Sequence, residues 1–279
     1  MGARPALMGI VNASPDSFSD GAREDPVARG EALLSEGADL LDVGGESGRT
    51  DRPPVGVQEE IARVVPVVER LAALGAEVSV DTYKPGVARA ALAAGASMVN
   101  DTSGLRDVAL ADACAAAGAR LVLMHTYARP KEKVLDPARD ERVVDDVLAF
   151  LHERMAMAEA RGVARERLVL DPGPDFGKTP HQTVRVLRAL DRVVALGPPV
   201  LLAVSRKDFV GAITDRPPRG RDAGTLAALA AGVDAGAAIL RVHDVAAARD
   251  FLAVRAILRG EEELPSGANL PEELRREGR

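Results

Sequence analysis

GADLLDVGGES, residues 37–47, holds the pattern that decides the fold. Gly37 stands where a helix has to end. Leu40–Val43 is a short, continuous apolar run, and the polar residues Asp42 and Glu46 stand in and just after it. Continuous rather than alternating apolarity suits a parallel strand covered on both faces. The same unit recurs along the chain, at Ala6–Val11, Val78–Val80, Met98–Val99, Leu121–Met124, Leu168–Leu170, Val200–Val204 and Ile239–Val242, giving eight candidate strands. Helical patterns lie between them. Ile61, Val64, Val65, Val68 and Leu71 share one face, as do Val144, Val147, Leu148, Leu151 and Met155. Pro66 falls inside the first pattern and predicts a kink. Gly37, Gly75, Gly95, Gly118 and Gly236 each precede a strand, where a helix ends in a left-handed residue. Eight βα units predict an α/β chain folded as a single (β/α)8 TIM barrel over residues 1–259. An open Rossmann sheet is the alternative, but no G-x-G-x-x-G follows a strand. The charged, Pro- and Gly-punctuated segment 260–279 reads as a C-terminal surface extension.

Polar residues gather where each run ends. Asn12 follows the first, Asp42 and Glu46 mark the second, Asp81 the third, and Asn100 and Asp101 the fourth. His125 follows the fifth, Asp171 the sixth, Ser205, Arg206 and Lys207 the seventh, and His243 and Asp244 the eighth. Asp or Asn after a strand can simply cap the next helix. Lys, Arg and His do not cap N-termini, so the whole set reads as the mouth of a barrel, where such folds do chemistry. Asp81, Asn100 and Asp171 offer acceptors and an amide, which suits a heterocycle with adjacent N–H donors. Arg206, Lys207, Arg241 and His243 lie at the corner where this fold usually binds phosphate.

Composition narrows the function. The chain has 279 residues, 47% hydrophobic and only 3% aromatic, so its core is aliphatic. A net charge of −6 points to neither nucleic acid nor an anionic membrane as partner. Cys114 is the only cysteine, which fits a reducing cytoplasm. Neither a signal peptide nor a membrane-length apolar run is present in the sequence. Gly173–Thr179 imitates a P-loop but is one residue short, with Pro172 in place of the first glycine and Pro174 and Asp175 inside. The four histidines and one cysteine lack zinc spacing, and no G-x-S-x-G marks a serine nucleophile.

Eight ordered segments then resemble the dihydropteroate synthases of the folate pathway. They are MGIVNASPDSFSDG (8–21), GADLLDVGGES (37–47), VSVDTYKPGVARAAL (78–92), MVNDTSGL (98–105), LVLMHT (121–126), LVLDPGPDFGKTP (168–180), LLAVSRKDFVG (201–211) and LRVHDV (240–245). The resemblance implies condensation of 6-hydroxymethyl-7,8-dihydropterin diphosphate with p-aminobenzoate, with Mg²⁺ as cofactor and a homodimer as assembly. It implies that Asp81, Asn100, Met124, Asp171, Arg206 and Lys207 hold the pterin, Arg206 against the ring. Asp16, Phe18, Ser47, Arg49, Phe176 and Ser205 would form the p-aminobenzoate end. Asn12, Arg241 and His243 would bind diphosphate, with Asn12 at the metal, and Asp81, Lys207, Arg241 and His243 would be the catalytic set. Four positions depart from the family: Gly48 and Thr50 stand for its usual Thr and Pro, Asp175 for Gly, and Ala203 for a frequent Gly. Gly48 and Thr50 predict a freer loop, and Asp175 predicts a negative charge near the p-aminobenzoate carboxylate unless its side chain points away. The alternatives are a pterin-binding paralogue without synthase activity and a pterin-dependent methyltransferase.

Overall fold

The structure is a computed structural model that describes residues 4–14, 25–48 and 50–275. Strands and helices alternate: β1 (Ala6–Asn12), α1 (Pro26–Glu36), β2 (Leu40–Gly44), α2 (Val57–Ala73), β3 (Glu77–Asp81), α3 (Pro85–Ala93), β4 (Met98–Asp101), α4 (Ala109–Ala117), β5 (Arg120–Met124), α5 (Val143–Ala160) and β6 (Leu168–Asp171). Then come α6 (Pro180–Arg188), α7 (Leu190–Val194), β7 (Leu201–Leu202), α8 (Asp208–Thr214), α9 (Asp222–Asp234), β8 (Ile239–Val242) and α10 (Val245–Leu258). The strands pair in parallel in the order β6-β5-β4-β3-β2-β1-β8-β7. A single bridge, Leu170 to Val200, brings β6 against the start of β7 and nearly closes the ring into a (β/α)8 barrel.

All eight predicted runs form strands. β7 is the exception in length, since only Leu201 and Leu202 of Val200–Val204 join the ladder. The Val200 carbonyl accepts from both Ala238 N and Ile239 N. Beyond Leu202 the chain turns toward Arg206, which sits at a left-handed φ of 57°. At the other end of the helices, Gly37 and Gly118 take φ of 106° and 64° as they close α1 and α4. That conformation costs glycine no Cβ clash. Pro66 does not interrupt α2, which runs unbroken from Val57 to Ala73 with Val64, Val67, Val68 and Leu71 buried.

The core has two parts. The larger lies between strands and helices. The smaller fills the barrel with Met8, Leu40, Met98, Val122, Val169, Leu201, Ala203 and Ile239. Side chains two apart on a strand share a face. Leu40 therefore puts Asp42 into the barrel one layer higher, Met98 does so for Asn100, Val122 for Met124, Val169 for Asp171, and Ile239 for Arg241. The apolar plug is the floor on which the polar residues stand. Past α10 the described side chains from Gly260 to Arg275 are exposed, with one short 3-10 turn at Glu272–Leu274. Among the described residues no helix is long and apolar enough to cross a membrane.

Candidate active site at the barrel mouth

The centre of the mouth is a charged network built from four strands. Asp42 is fully buried, and its Oδ2 accepts from Asn100 Nδ2 at 2.9 Å and Arg241 Nε at 2.6 Å. Arg241 Nη2 donates to Asp81 Oδ2 at 2.9 Å. Register places Asp81 beside Asn100 on one side and Gly44 on the other. Desolvation, with Asp42 close by, pushes the Asp81 carboxyl up to about 7 against the pull of Arg241. Burial opposes the charge on Arg241, but Asp42 and Asp81 more than offset it and raise its value. Asp42 Oδ1 and Asn100 Oδ1 are buried and accept no hydrogen bond from the described residues. Buried acceptors of this kind call for donors, and a ring edge carrying N–H groups supplies them.

Asp171 forms the far wall. Its Oδ1 accepts Gly173 N at 2.7 Å, and burial raises its value. Behind it lies Lys178, from the P-loop imitation. This lysine is buried and donates to the carbonyls of Gly173 (2.8 Å), His125 (3.2 Å) and Phe176 (3.4 Å). Three acceptors match the three protons of an ammonium, while burial pulls its value down to about 7. Lys207 stands beside that loop, with Nζ 4.2 Å from the centre of the Phe176 ring. Burial lowers its value, while Asp175 and Asp171 work the other way. The Asp175 charge, expected to face the p-aminobenzoate end, is turned instead into the fold. Its Oδ1 accepts Thr183 Oγ1 at 2.9 Å and its Oδ2 accepts Phe209 N, in the first turn of α8, at 3.2 Å. A carboxylate finds orphan N–H donors there.

At the eighth strand, His243 Nδ1 and Ser205 Oγ are 2.9 Å apart. Burial and then Arg241 push His243 down to about 4, so it is neutral at neutral pH. Arg206 grips Asp222 through Nε (2.8 Å) and Nη2 (3.2 Å). Asn12 ends β1 with its side chain exposed, level with Gly44. Met124 is buried beside Asp171 in register. Ser47 lies past β2 and its carbonyl accepts from Lys131 Nζ. Asp16, Phe18 and Arg49 lie outside the described residues. No cluster of three or more His, Cys, Asp or Glu side chains suited to a metal occurs among the described residues.

The sequence pointed to Asp42 only as a strand-end residue. Its place two residues after Leu40, on the inward face, is the signal that puts it at the centre. Lys178 was hidden by its likeness to a nucleotide motif. Glu60 is buried on α2, holding Lys84 and Thr82 Oγ1, the latter at 2.7 Å. A glutamate among the apolar positions of a helix was the available clue.

Comparison with known proteins identifies the family. The family described as pterin binding enzyme matches residues 8–243. The dihydropteroate synthase of Bacillus subtilis is 41% identical over 86% of this chain and 83% of its own length. A probable bifunctional folylpolyglutamate synthase/dihydropteroate synthase of Halobacterium salinarum is 46% identical over 88% of this chain, which spans only 30% of that longer protein. The dihydropteroate synthase of Xanthomonas albilineans, solved in complex with 7,8-dihydropteroate, superposes with a TM-score of 0.81 at 46% identity, over 92% of this chain and 94% of that one. The chain belongs to the pterin-binding enzymes and, within them, to the dihydropteroate synthase family.

Proposed function

We propose that the chain joins p-aminobenzoate to 6-hydroxymethyl-7,8-dihydropterin diphosphate, giving 7,8-dihydropteroate and pyrophosphate. The observation that carries this reading is the inward-facing set Asp81, Asn100 and Asp171, with Arg241 and Lys207 at the same mouth. The carboxylates and the amide receive the N–H edge of the pterin, as charge-assisted acceptors. Lys207 donates to the ring. Arg206 reaches the ring face if it leaves Asp222. The C–O bond to diphosphate breaks while a C–N bond forms to the arylamine, which loses one proton. Positive charge develops on the methylene, and the electron-rich pterin held by carboxylates spreads it. Negative charge develops on the leaving group near Arg241 and His243, where fixed donors favour it. Neutral His243 donates a hydrogen bond there rather than a charge. Ser205, Ser47 and Phe176 border the p-aminobenzoate end, with Asp16, Phe18 and Arg49 assigned there by the sequence.

The residues present fit a Mg²⁺ that arrives with the diphosphate. Asn12 supplies one neutral oxygen and no carboxylate cluster stands near it among the described residues, and Mg²⁺ commonly relies on substrate phosphates for most of its shell. Bound there, the ion would neutralise charge on the leaving group. The cytoplasm is the proposed location. A homodimer is the proposed assembly, as the family resemblance implies.

Pyrophosphate release from the purified protein tests the reaction. Release should require both p-aminobenzoate and divalent metal, and Asn12→Ala should need more Mg²⁺ for half-maximal rate. Pterin binding without release would assign the chain to the non-synthase paralogues. Full activity after chelation of divalent metal would remove the metal from the scheme.

A further inference from the structure

We propose that Lys131 is a positioning residue for the p-aminobenzoate side of the site, fixing from across the mouth the loop that carries Ser47. This rests on the reading of Ser47 given above. Lys131 lies between β5 and α5, whereas Ser47 follows β2, and β3 and β4 stand between those strands. The Lys131 ammonium nevertheless donates to the Ser47 carbonyl and pairs with Glu46 Oε1 at 3.1 Å. Only 12% of its side chain is exposed. Lys131 also holds a left-handed φ of 67°, which a lysine adopts only when its surroundings impose it.

The rest of the segment is built to reach that far. Near its start, Arg106 Nη2 donates to the Ala128 carbonyl at 3.3 Å. Near its end, Gln182 Nε2 donates to Asp136 O at 2.7 Å and Asp140 Oδ1 at 2.8 Å. With both ends tied to neighbouring elements, the middle delivers a cation to Glu46.

Glu46 is where three loops meet. It accepts from Val55 N at 2.9 Å, closing its own loop, from Tyr83 OH at 3.0 Å and from Lys84 Nζ, both of which follow β3. These donors hold its carboxyl below the ordinary value although burial opposes them. A Cβ at Gly48 would meet nothing within 4 Å, so position 48 contributes no packing to hold the loop. Anchors at Glu46 and Ser47 therefore bear on its placement. Lys84 also pairs with Glu60 and is held by α2. Lys131 joins Glu46 to the Ser47 backbone, which makes it an anchor for the height of Ser47 over the site.

Lys131→Met keeps length and apolar contact and removes the three donors. Losing a charge-assisted hydrogen bond should raise the KM for p-aminobenzoate by about tenfold, leave the KM for pterin diphosphate within about twofold, and change kcat little. Amide hydrogen exchange in residues 46–55 should quicken, and Lys131→Arg should restore part of both effects. An unchanged p-aminobenzoate KM, or unaltered exchange in that loop, would overturn the proposal. A wild-type protein that uses no p-aminobenzoate defeats the functional reading instead, and loop exchange then decides the anchor by itself.

Discussion

Asp81 faces a carboxylate on one side and a guanidinium on the other, and its titration gives the site a pH signature. Its value in the fold is about 7 rather than 3.8. Protonation thus favours the ligand-free fold, and that contribution to stability is lost as pH rises from about 4 to about 7. A pterin N–H favours the carboxylate, so ligand affinity runs the opposite way. Isothermal titration with a pterin that does not itself titrate near neutrality should show binding roughly tenfold weaker at pH 6 than at pH 8. Equal affinity at both would mean that Asp81 is already charged before the ligand arrives. The strand-end positions of Asp81, Asn100, Asp171, Lys207, Arg241 and His243 could be read from the sequence because a polar residue ending an apolar run is conspicuous. Their partners could not. Asp42 binds Arg241 over a separation of 199 residues, and only barrel closure brings the second and eighth strands together around the first. Lys178 was illegible for a related reason, since its three acceptors are backbone carbonyls and leave no mark in side-chain pattern.

Elements were more legible than partnerships. Apolar runs mark burial, and burial located every strand; it did not say where the ladder ends, so β7 is shorter than its run. Loops divide in the same way. Asp175 read as a charge near the site because its neighbours in sequence lie there, but at φ of 64° its side chain is directed to Thr183 and Phe209 N. Both carboxylate oxygens are thus engaged by the fold, while the charge still acts on Lys207. At Gly48 a Cβ would meet nothing within 4 Å, so a threonine has room there. Gly48→Thr with Thr50→Pro should cut the entropy lost when the loop orders over the second substrate. Each change of this kind is worth about 0.4–1 kcal/mol where the backbone accepts it. Steady-state kinetics should show the p-aminobenzoate KM falling roughly two- to tenfold, with the pterin-diphosphate KM unmoved. A KM for p-aminobenzoate that stays the same or rises would show that the Lys131 and Lys84 anchors already hold the loop in its working position.

The molecule as a whole has one weak seam, and the proposed ligand spans it. From β6 round to β8 by way of β1, each neighbouring pair shares a ladder of three or more registered pairs. β7 shares two with β8 and a single bridge with β6. One further hydrogen bond, Leu170 N to Pro199 O at 2.9 Å, crosses the same gap. Few backbone bonds mean a low free energy of local opening. Asp171 ends β6, Lys207 follows β7, and both are assigned to the pterin, so a bound ring would connect the two sides of the seam through side chains where the backbone connects them least. A ligand that binds only the closed form stabilises it by mass action, by about 2.7 kcal/mol at a hundredfold excess over Kd. Amides of residues 200–204 should therefore exchange faster than those of β1–β5 in the free protein. Adding a pterin ligand should slow them more than it slows β1, which is doubly laddered in either state. Lys207→Met should abolish that selective protection while leaving the free-state pattern as it was. Uniform protection across all strands would mean that the ligand stabilises the barrel without acting at the seam, and exchange at 200–204 as slow as in β1 would mean that no weak seam exists to be closed.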